Sequence, residues 1–471
     1  MKNKIIYKYV GKVLIVFAFL LLAPIIITMV YKENPIPFII PLLLSLLSGI
    51  FLNLLKNEKG SIYAKDGFII VSLSWIFISL LGALPFWING DASFIDSLFE
   101  SVSGLTTTGA SVFTDVENLN KSILFWRSYS HFIGGMGVLA FVMAIIPLSK
   151  NDKSMHVLKA EMAGPSVAKL VPSIKKTLLY LYSIYIGLTL TEFVLLLIGK
   201  MSFFESLVIS MSTAATGGFS ILNSSIATYG TYNQIVIAIF MFLFGVNFNI
   251  YFLILMKDAK TALKSEELRV YVSIYILSVL MILLNTYQMF SSMSNAITSS
   301  FFHVGAIMTS TGFSIGDINI YPTSCRILFL CLMLVSACAG STCGGFKISR
   351  LIICLKKIKR DLLKVIHPNS VHTITFEGKK VDEETVNSTC TFLFLYAFFI
   401  VIIMGIVSFD NVTLSQTINA VFATFGNTSM CFEISNFSIF NDISTIVMTI
   451  GMLLGRLEIF PLLVLFSDLK K

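Results

Sequence analysis

Of the 29 glycines in this chain, four sit in the pattern Ser/Thr-x-Gly-x-Ser/Thr: Gly109, Gly218, Gly312 and Gly426. Glycine adopts positive φ without a Cβ penalty, so the carbonyl oxygens beside it can turn out of the usual backbone line. The flanking hydroxyls can anchor such a turn to the structure behind it. Four turns around one axis would present rings of carbonyl oxygens that replace the hydration shell of a bare cation. The chemistry in view is ion coordination and passage, not bond making. Glycines that only mark close helix packing would not fall once in each of four similar stretches and nowhere else.

Other chemistries find no residues. The five histidines (His131, His156, His303, His367, His372) form no HExxH, and no phosphate-binding GxxxxGK[ST] or GxGxxG after a strand is present. The seven cysteines form no CxxC pair and fall mostly in apolar runs, where core packing accounts for them. The chain is not expected to be an enzyme or to bind a cofactor of its own.

The elements that would position these turns are membrane spans. With 56% hydrophobic and only 13% charged residues, the sequence breaks into apolar runs of about 20 residues, the length that crosses a bilayer. Spans are expected at 10–31, 37–55, 67–89, 125–148, 178–199, 233–256, 270–290, 326–349, 389–409 and 443–466. The first run has no small-residue cleavage site after it and reads as a retained helix. Between the later spans lie shorter, half-hydrophobic segments, 93–111, 202–220, 296–314 and 413–428, each ending in one of the four turns. The expected fold is an all-α polytopic membrane protein with ten transmembrane helices and four re-entrant pore loops. Its four pseudo-repeated units surround one central pore: 61–150, 170–260, 268–366 and 387–471, preceded by two helices in 1–60. A cytoplasmic linker, 367–386, separates units three and four. Ser93-Phe94-Ile95-Asp96-Ser97-Leu98 and Ser202-Phe203-Phe204-Glu205-Ser206-Leu207 stand at the same distance before their glycines, which supports an internal duplication.

Charge supports this arrangement. If the N-terminus, the C-terminus and every loop between units face the cytoplasm, they hold all 34 Lys and Arg except Lys32, Lys121, Arg127, Lys200, Arg326 and Arg456. The net charge of +8 therefore belongs to topology and not to nucleic-acid binding. The outer loops carry Asp91, Asp115, Glu117, Asp317, Asp410, Glu433 and Asp442, and an acidic mouth would concentrate cations. The polar stretch 356–388 can meet anionic headgroups or a partner protein. Arg456 stands near the middle of the last span, with Glu458 two residues on. A charge at that depth costs about 2.5–3.5 kcal/mol on the insertion scale, so it must face protein or water. Gly340, Ser341, Thr342, Gly344 and Gly345 break a helix inside the membrane, as a movable loop or as a kink that only packs. Asn247 and Asn249 read as interhelical glue.

LTTTGAS (Leu105–Ser111), HFIGGMGVLAFVMAIIP (His131–Pro147), MSTAATGGFS (Met211–Ser220), GVNFNIYF (Gly245–Phe252), MTSTGFS (Met308–Ser314), CAGSTCGGFKISR (Cys338–Arg350) and GRLEIFPLLVLF (Gly455–Phe466) together resemble the TrkH-type potassium uptake proteins of the Trk/Ktr/HKT superfamily. The resemblance covers nearly the whole chain, and the two leading spans favour the TrkH branch over the shorter KtrB branch. It implies K+ uptake across a prokaryotic plasma membrane through four units, each like a potassium-channel subunit. It assigns the K+ filter to Thr107-Thr108-Gly109, Thr216-Gly217-Gly218, Ser310-Thr311-Gly312 and Thr424-Phe425-Gly426. Glycine in all four loops goes with potassium in that family, and serine in the first goes with sodium. Gly217 replaces a more usual alanine, and FGNTS replaces a more usual Gly-Pro. The resemblance further implies that Arg456 and the loop Gly340–Gly345 form a gate, that the protein is a homodimer with one pore per subunit, and that a cytoplasmic TrkA-type nucleotide-binding subunit regulates it. The alternatives are a sodium- or proton-coupled symporter working by alternating access, and less selective potassium/sodium transport.

Overall fold

The computed structural model describes residues 3–55, 63–135, 137, 174–370 and 372–469. Among them the chain is mostly helical, with one two-stranded hairpin, Thr375–Phe376 paired with Lys379–Lys380. Six helices among the described residues are long and apolar enough to cross a membrane: Ile5–Tyr31, Ile36–Leu54, Lys65–Asn89, Lys176–Ile198, Glu266–Met289 and Glu383–Val407. Large apolar side chains on them, such as Leu47, Phe51, Leu190, Leu284 and Val401, are exposed, as a lipid-facing surface requires.

The second helix of units two, three and four differs from a plain span. Thr231–Phe244 and Phe248–Leu255 form a pair bent by 91°. The run expected at 326–349 is helical only to Leu334, continues without a helix to Lys347, and resumes as Ile348–Ile366. The last run stops at Leu457 and restarts at Phe460. Hydropathy persists across all three breaks, so a count of apolar residues passes over them. In the first unit the helix Lys121–Gly135 reaches the edge of the described residues, and the rest of 125–148 and most of the basic loop after it lie outside them.

Four short helices hold the four turns: Phe94–Leu105, Phe203–Ala214, Met293–Met308 and Leu414–Phe425. Each starts on a hydroxyl cap, Ser93, Ser202, Ser292 or Thr413, whose oxygen accepts an orphan backbone N–H of the first turn. At Ser202 and Thr413 the Glu205 and Gln416 side chains complete a capping box. Each short helix also packs on the second long element of the preceding unit. Phe203–Ala214 lies on Lys121–Gly135, Met293–Met308 on Thr231–Phe244, Leu414–Phe425 on Thr323–Leu334, and Phe94–Leu105 on Asp442–Leu457. The last pairing joins the end of the chain to the first unit, so the four short helices form a closed cycle. Small-residue packing does occur, but at Gly11 and Gly49, where a Cβ on either would stand 2.8 Å from the other's carbonyl oxygen.

Candidate functional site

All four short helices end the same way. The residues after their last turn, Thr106, Ala215, Thr309 and Gly426, cap the helix with right-handed or near-helical backbone. The next residue is left-handed in every loop: Thr107 (φ 57°), Thr216 (54°), Ser310 (56°) and Asn427 (53°). Two residues on, Gly109, Gly218 and Gly312 are again at positive φ, between 76° and 81°. This repeat of dihedrals sets the register of the loops. In loop four it moves the site away from Thr424-Phe425-Gly426. Thr424 and Phe425 are the last turn of their helix, with the Thr424 hydroxyl donating to the Ala420 carbonyl at 2.8 Å and the Phe425 ring against Tyr396. Gly426 is the helix cap, and Asn427-Thr428-Ser429 occupy the positions that Thr107-Thr108-Gly109 hold in loop one. The sequence pattern at Gly426 thus matches by residue type at the wrong place in the helix. Asn427 takes the left-handed position because asparagine tolerates it better than most residues.

The loop ends meet at one place. A Cβ on Gly109 would overlap the Gly217 carbonyl oxygen, and one on Gly218 would overlap the Thr311 carbonyl oxygen. A Cβ on Gly312 would run into the Ser429 hydroxyl. Neighbouring backbones are therefore packed closer than any side chain allows, with carbonyl oxygens at the contact. Behind the turns, loops one and three share a hydroxyl tie: Thr106 to Thr108 and Thr309 to Thr311, both at 2.7 Å. Loop two has no hydroxyl at those positions. There the His131 ring fills the space a side chain at Gly217 would need, stacks on Phe219, lies 2.7 Å from the Gly104 carbonyl through Nδ1, and accepts the Phe219 N–H at Nε2. Glycine in place of alanine at 217 follows from that ring. Loop four is tied through Asn427, whose amide donates to the Thr108 hydroxyl at 2.8 Å and the Met452 carbonyl at 3.1 Å.

The segments that follow the four turns are braced in the same cyclic order. The Val116 N–H donates to Asn223, Ile226 N–H to the Ser314 carbonyl, Glu433 N–H to Asn319, and Phe437 N–H to the Ser111 carbonyl, all at 2.9–3.0 Å. Hydrogen bonds from the Asn223 amide and the Glu117 N–H hold Asp115 below its ordinary carboxylate pKa, so this exposed acid stays charged. Deeper in, Glu100 is fully buried and pairs with Arg127 at 2.7 Å. Glu100 also accepts from the Val112 N–H and the Ser111 hydroxyl, and Arg127 donates to the Ser220 carbonyl at 3.1 Å. One ion pair thereby fixes the backs of loops one and two, which gives the buried Arg127 its partner.

On the other side of the loops lies the irregular segment 335–347. Its two ends pair with each other through Ser336 N–H to Phe346 O and the bridge Val335–Phe346. Gly340 and Gly345 turn at φ 71° and 72°. Arg456 donates to the Thr342 carbonyl of this segment at 2.8 Å and to the carbonyls of Gly134 and Gly135 at 2.7 and 2.8 Å. The Gly344 N–H reaches the Ser310 hydroxyl at 3.2 Å, tying the segment to loop three. A cavity of about 80 Å³ is lined by Gly135, Gly344, Gly345, Lys347, Arg456 and Glu458 among others. Glu458 pairs with Arg350 at 2.5 Å.

Comparison with known proteins decides the family. The profile of the TrkH cation transport proteins matches residues 38–470. The chain belongs to the TrkH family of cation transport proteins. It is 32% identical over 466 residues to the Trk system potassium uptake protein TrkG of Escherichia coli (strain K12), covering 95% of this chain and 94% of that one. Identity to the Trk system potassium uptake protein TrkH of Vibrio parahaemolyticus is 32% over 483 residues, 99% of both chains. The crystal structure of the potassium transporter TrkH from Vibrio parahaemolyticus superposes with a TM-score of 0.89 at 29% identity, covering 99% of this chain and 98% of that one.

In this TrkH-family chain three residues escaped the sequence reading. Lys347, only 1% exposed, donates to the Cys343 carbonyl and brings a second positive charge beside Arg456; counting it as a cytoplasmic loop charge hid it. Glu267 accepts the N–H groups of Ala339 at 2.7 Å and Ser349 at 3.2 Å, clamping both ends of the irregular segment. Ser429 lay three residues beyond the motif's glycine, Gly426. Gly109, Gly218 and Ser429 stand at equal distances from their caps Ser93, Ser202 and Thr413, and that spacing was the available signal. Asn247 caps Phe248–Leu255 and reaches Glu267 at 3.4 Å, while the Asn249 backbone N–H donates to it.

Proposed function

We propose that this chain conducts potassium ions through a filter formed where its four loops meet. The observation that carries this reading is the convergence of Gly109, Gly218, Gly312 and Ser429, with the carbonyl oxygens of Gly217 and Thr311 at the contacts. A non-helical backbone at membrane depth persists where it is buried in protein or lines a water-filled path, and rings of backbone oxygens suit a dehydrated monovalent cation. The names of the Escherichia coli and Vibrio relatives, potassium uptake proteins, point to the same ion. The required topology is ten crossings with four re-entrant segments and both termini in the cytoplasm of a prokaryotic cell, and the Lys/Arg asymmetry supports it. The cyclic packing of four like units favours a pore over two rocking halves.

Below the filter, Arg456 and the segment Gly340–Gly345 serve as the barrier, with Lys347 adding to the positive field. A homodimer and a cytoplasmic TrkA-type regulatory subunit complete the assembly. Purified chain in proteoliposomes tests the core of this reading: potassium and rubidium flux should exceed sodium flux, and Gly312→Ser should lower that ratio. Equal flux of the three ions, or none without a sodium or proton gradient, would reject a potassium-preferring pore.

A further inference from the structure

Three of the four loops present glycine at the point of convergence, and the fourth presents a serine. Ser429 is outside the left-handed region that Gly109, Gly218 and Gly312 occupy, so its backbone does not repeat theirs. Its side chain enters the shared space instead. A Cβ on Gly109 would stand 3.0 Å from the Ser429 Cβ, one on Gly218 2.8 Å from its Oγ, and one on Gly312 would collide with that same oxygen. One hydroxyl thus stands within reach of all three other loops. Its nearest acceptor, the Thr311 carbonyl oxygen, is 3.5 Å away, too long to be a firm hydrogen bond. Ser429 is half-buried, and its oxygen keeps lone pairs for another partner.

We infer that the Ser429 hydroxyl is the fourth loop's contribution to cation coordination and sets how strictly the site separates potassium from sodium. The inference rests on the filter reading proposed above. A backbone carbonyl is held at a fixed radius by its turn, whereas a hydroxyl swings about χ1 and can close on a smaller ion. Three rigid oxygen donors with one adaptable one therefore discriminate by size less sharply than four rigid ones. The serine needs no unusual backbone, which is why the loop tolerates it.

The test uses the full chain in proteoliposomes, comparing potassium and sodium flux for Ser429→Gly, Ser429→Ala and the control Gly312→Ser. Glycine and alanine at 429 are expected to lower sodium relative to potassium flux by about three- to tenfold, the range one neutral oxygen contact commands. Alanine keeps the Cβ, so it decides the question if the glycine variant does not fold. Unchanged ratios in both 429 variants, with Gly312→Ser shifting the ratio, overturn the role of Ser429 and leave the filter standing. Unchanged ratios in all three overturn both.

Discussion

Arg456 donates to three carbonyl oxygens from two elements, Thr342 on one side and Gly134 and Gly135 on the other. Removing the guanidinium unties both at once. Arg456→Ala is expected to raise basal ion flux from proteoliposomes, and an unaltered rate in a folded protein would remove it from the barrier. The Glu100–Arg127 pair sits where a lone charge has no solvent. Arg127→Met should lower stability by about 3–5 kcal/mol, as for other buried pairs broken from one side; a thermal midpoint unchanged from the parent protein would contradict this. Glycine positions differ in what they tolerate. Gly109→Ala and Gly218→Ala meet backbone carbonyls and should abolish folding or flux, whereas at Gly312 the Ser429 hydroxyl can rotate away but the Ser429 backbone nitrogen, 2.8 Å from the added Cβ, must shift. At this scale the sequence was readable where residue type and backbone demand coincide, as at Gly109, Gly218 and Gly312. It misled at Gly426 because a pattern of residue types does not carry φ, and Asn427 meets the same demand with a different residue.

The irregular segment 335–347 shows how an element is specified by its neighbours. Ala339–Gly345 announced a break through its glycines, but not where the helix stops, because Val335–Cys338 are as apolar as the turns before them. What ends the helix is a set of outside partners. The Cys338 N–H goes to the Gly245 carbonyl, the Phe248 N–H to the Gly340 carbonyl, and the Ala339 and Ser349 N–H groups to Glu267. These partners come from another unit or from the preceding helix, and no local pattern records them. Glu267 in turn sits beside the linker hairpin, where Glu377 accepts the Glu267 N–H at 3.0 Å and the Ser265 hydroxyl at 2.8 Å. Glu267→Gln keeps the shape and removes the charge that strengthens these bonds. Losing about 1.5 kcal/mol here should speed hydrogen exchange of 336–349 about tenfold. Unchanged protection there would show that the glutamate does not hold the segment.

For the molecule as a whole, the fourfold repeat in the sequence made the four short helices legible. The closure of their cycle, Phe94–Leu105 against Asp442–Leu457 and Phe437 against Ser111, was not, since it joins residues more than three hundred positions apart. If the acids on the outer loops gather cations, Asp317→Asn combined with Asp442→Asn should raise the half-saturating potassium concentration at low ionic strength. The difference should vanish at about 1 M salt, where charges are screened within about 3 Å; an effect that persists there would point to a structural role. Closing four units within one polypeptide also changes what a mutation can do. A ring of four identical subunits receives every substitution four times over. If the four loops form the filter proposed above, a change such as glycine to serine falls here on one wall while the other three keep their geometry, so ion preference can shift one wall at a time.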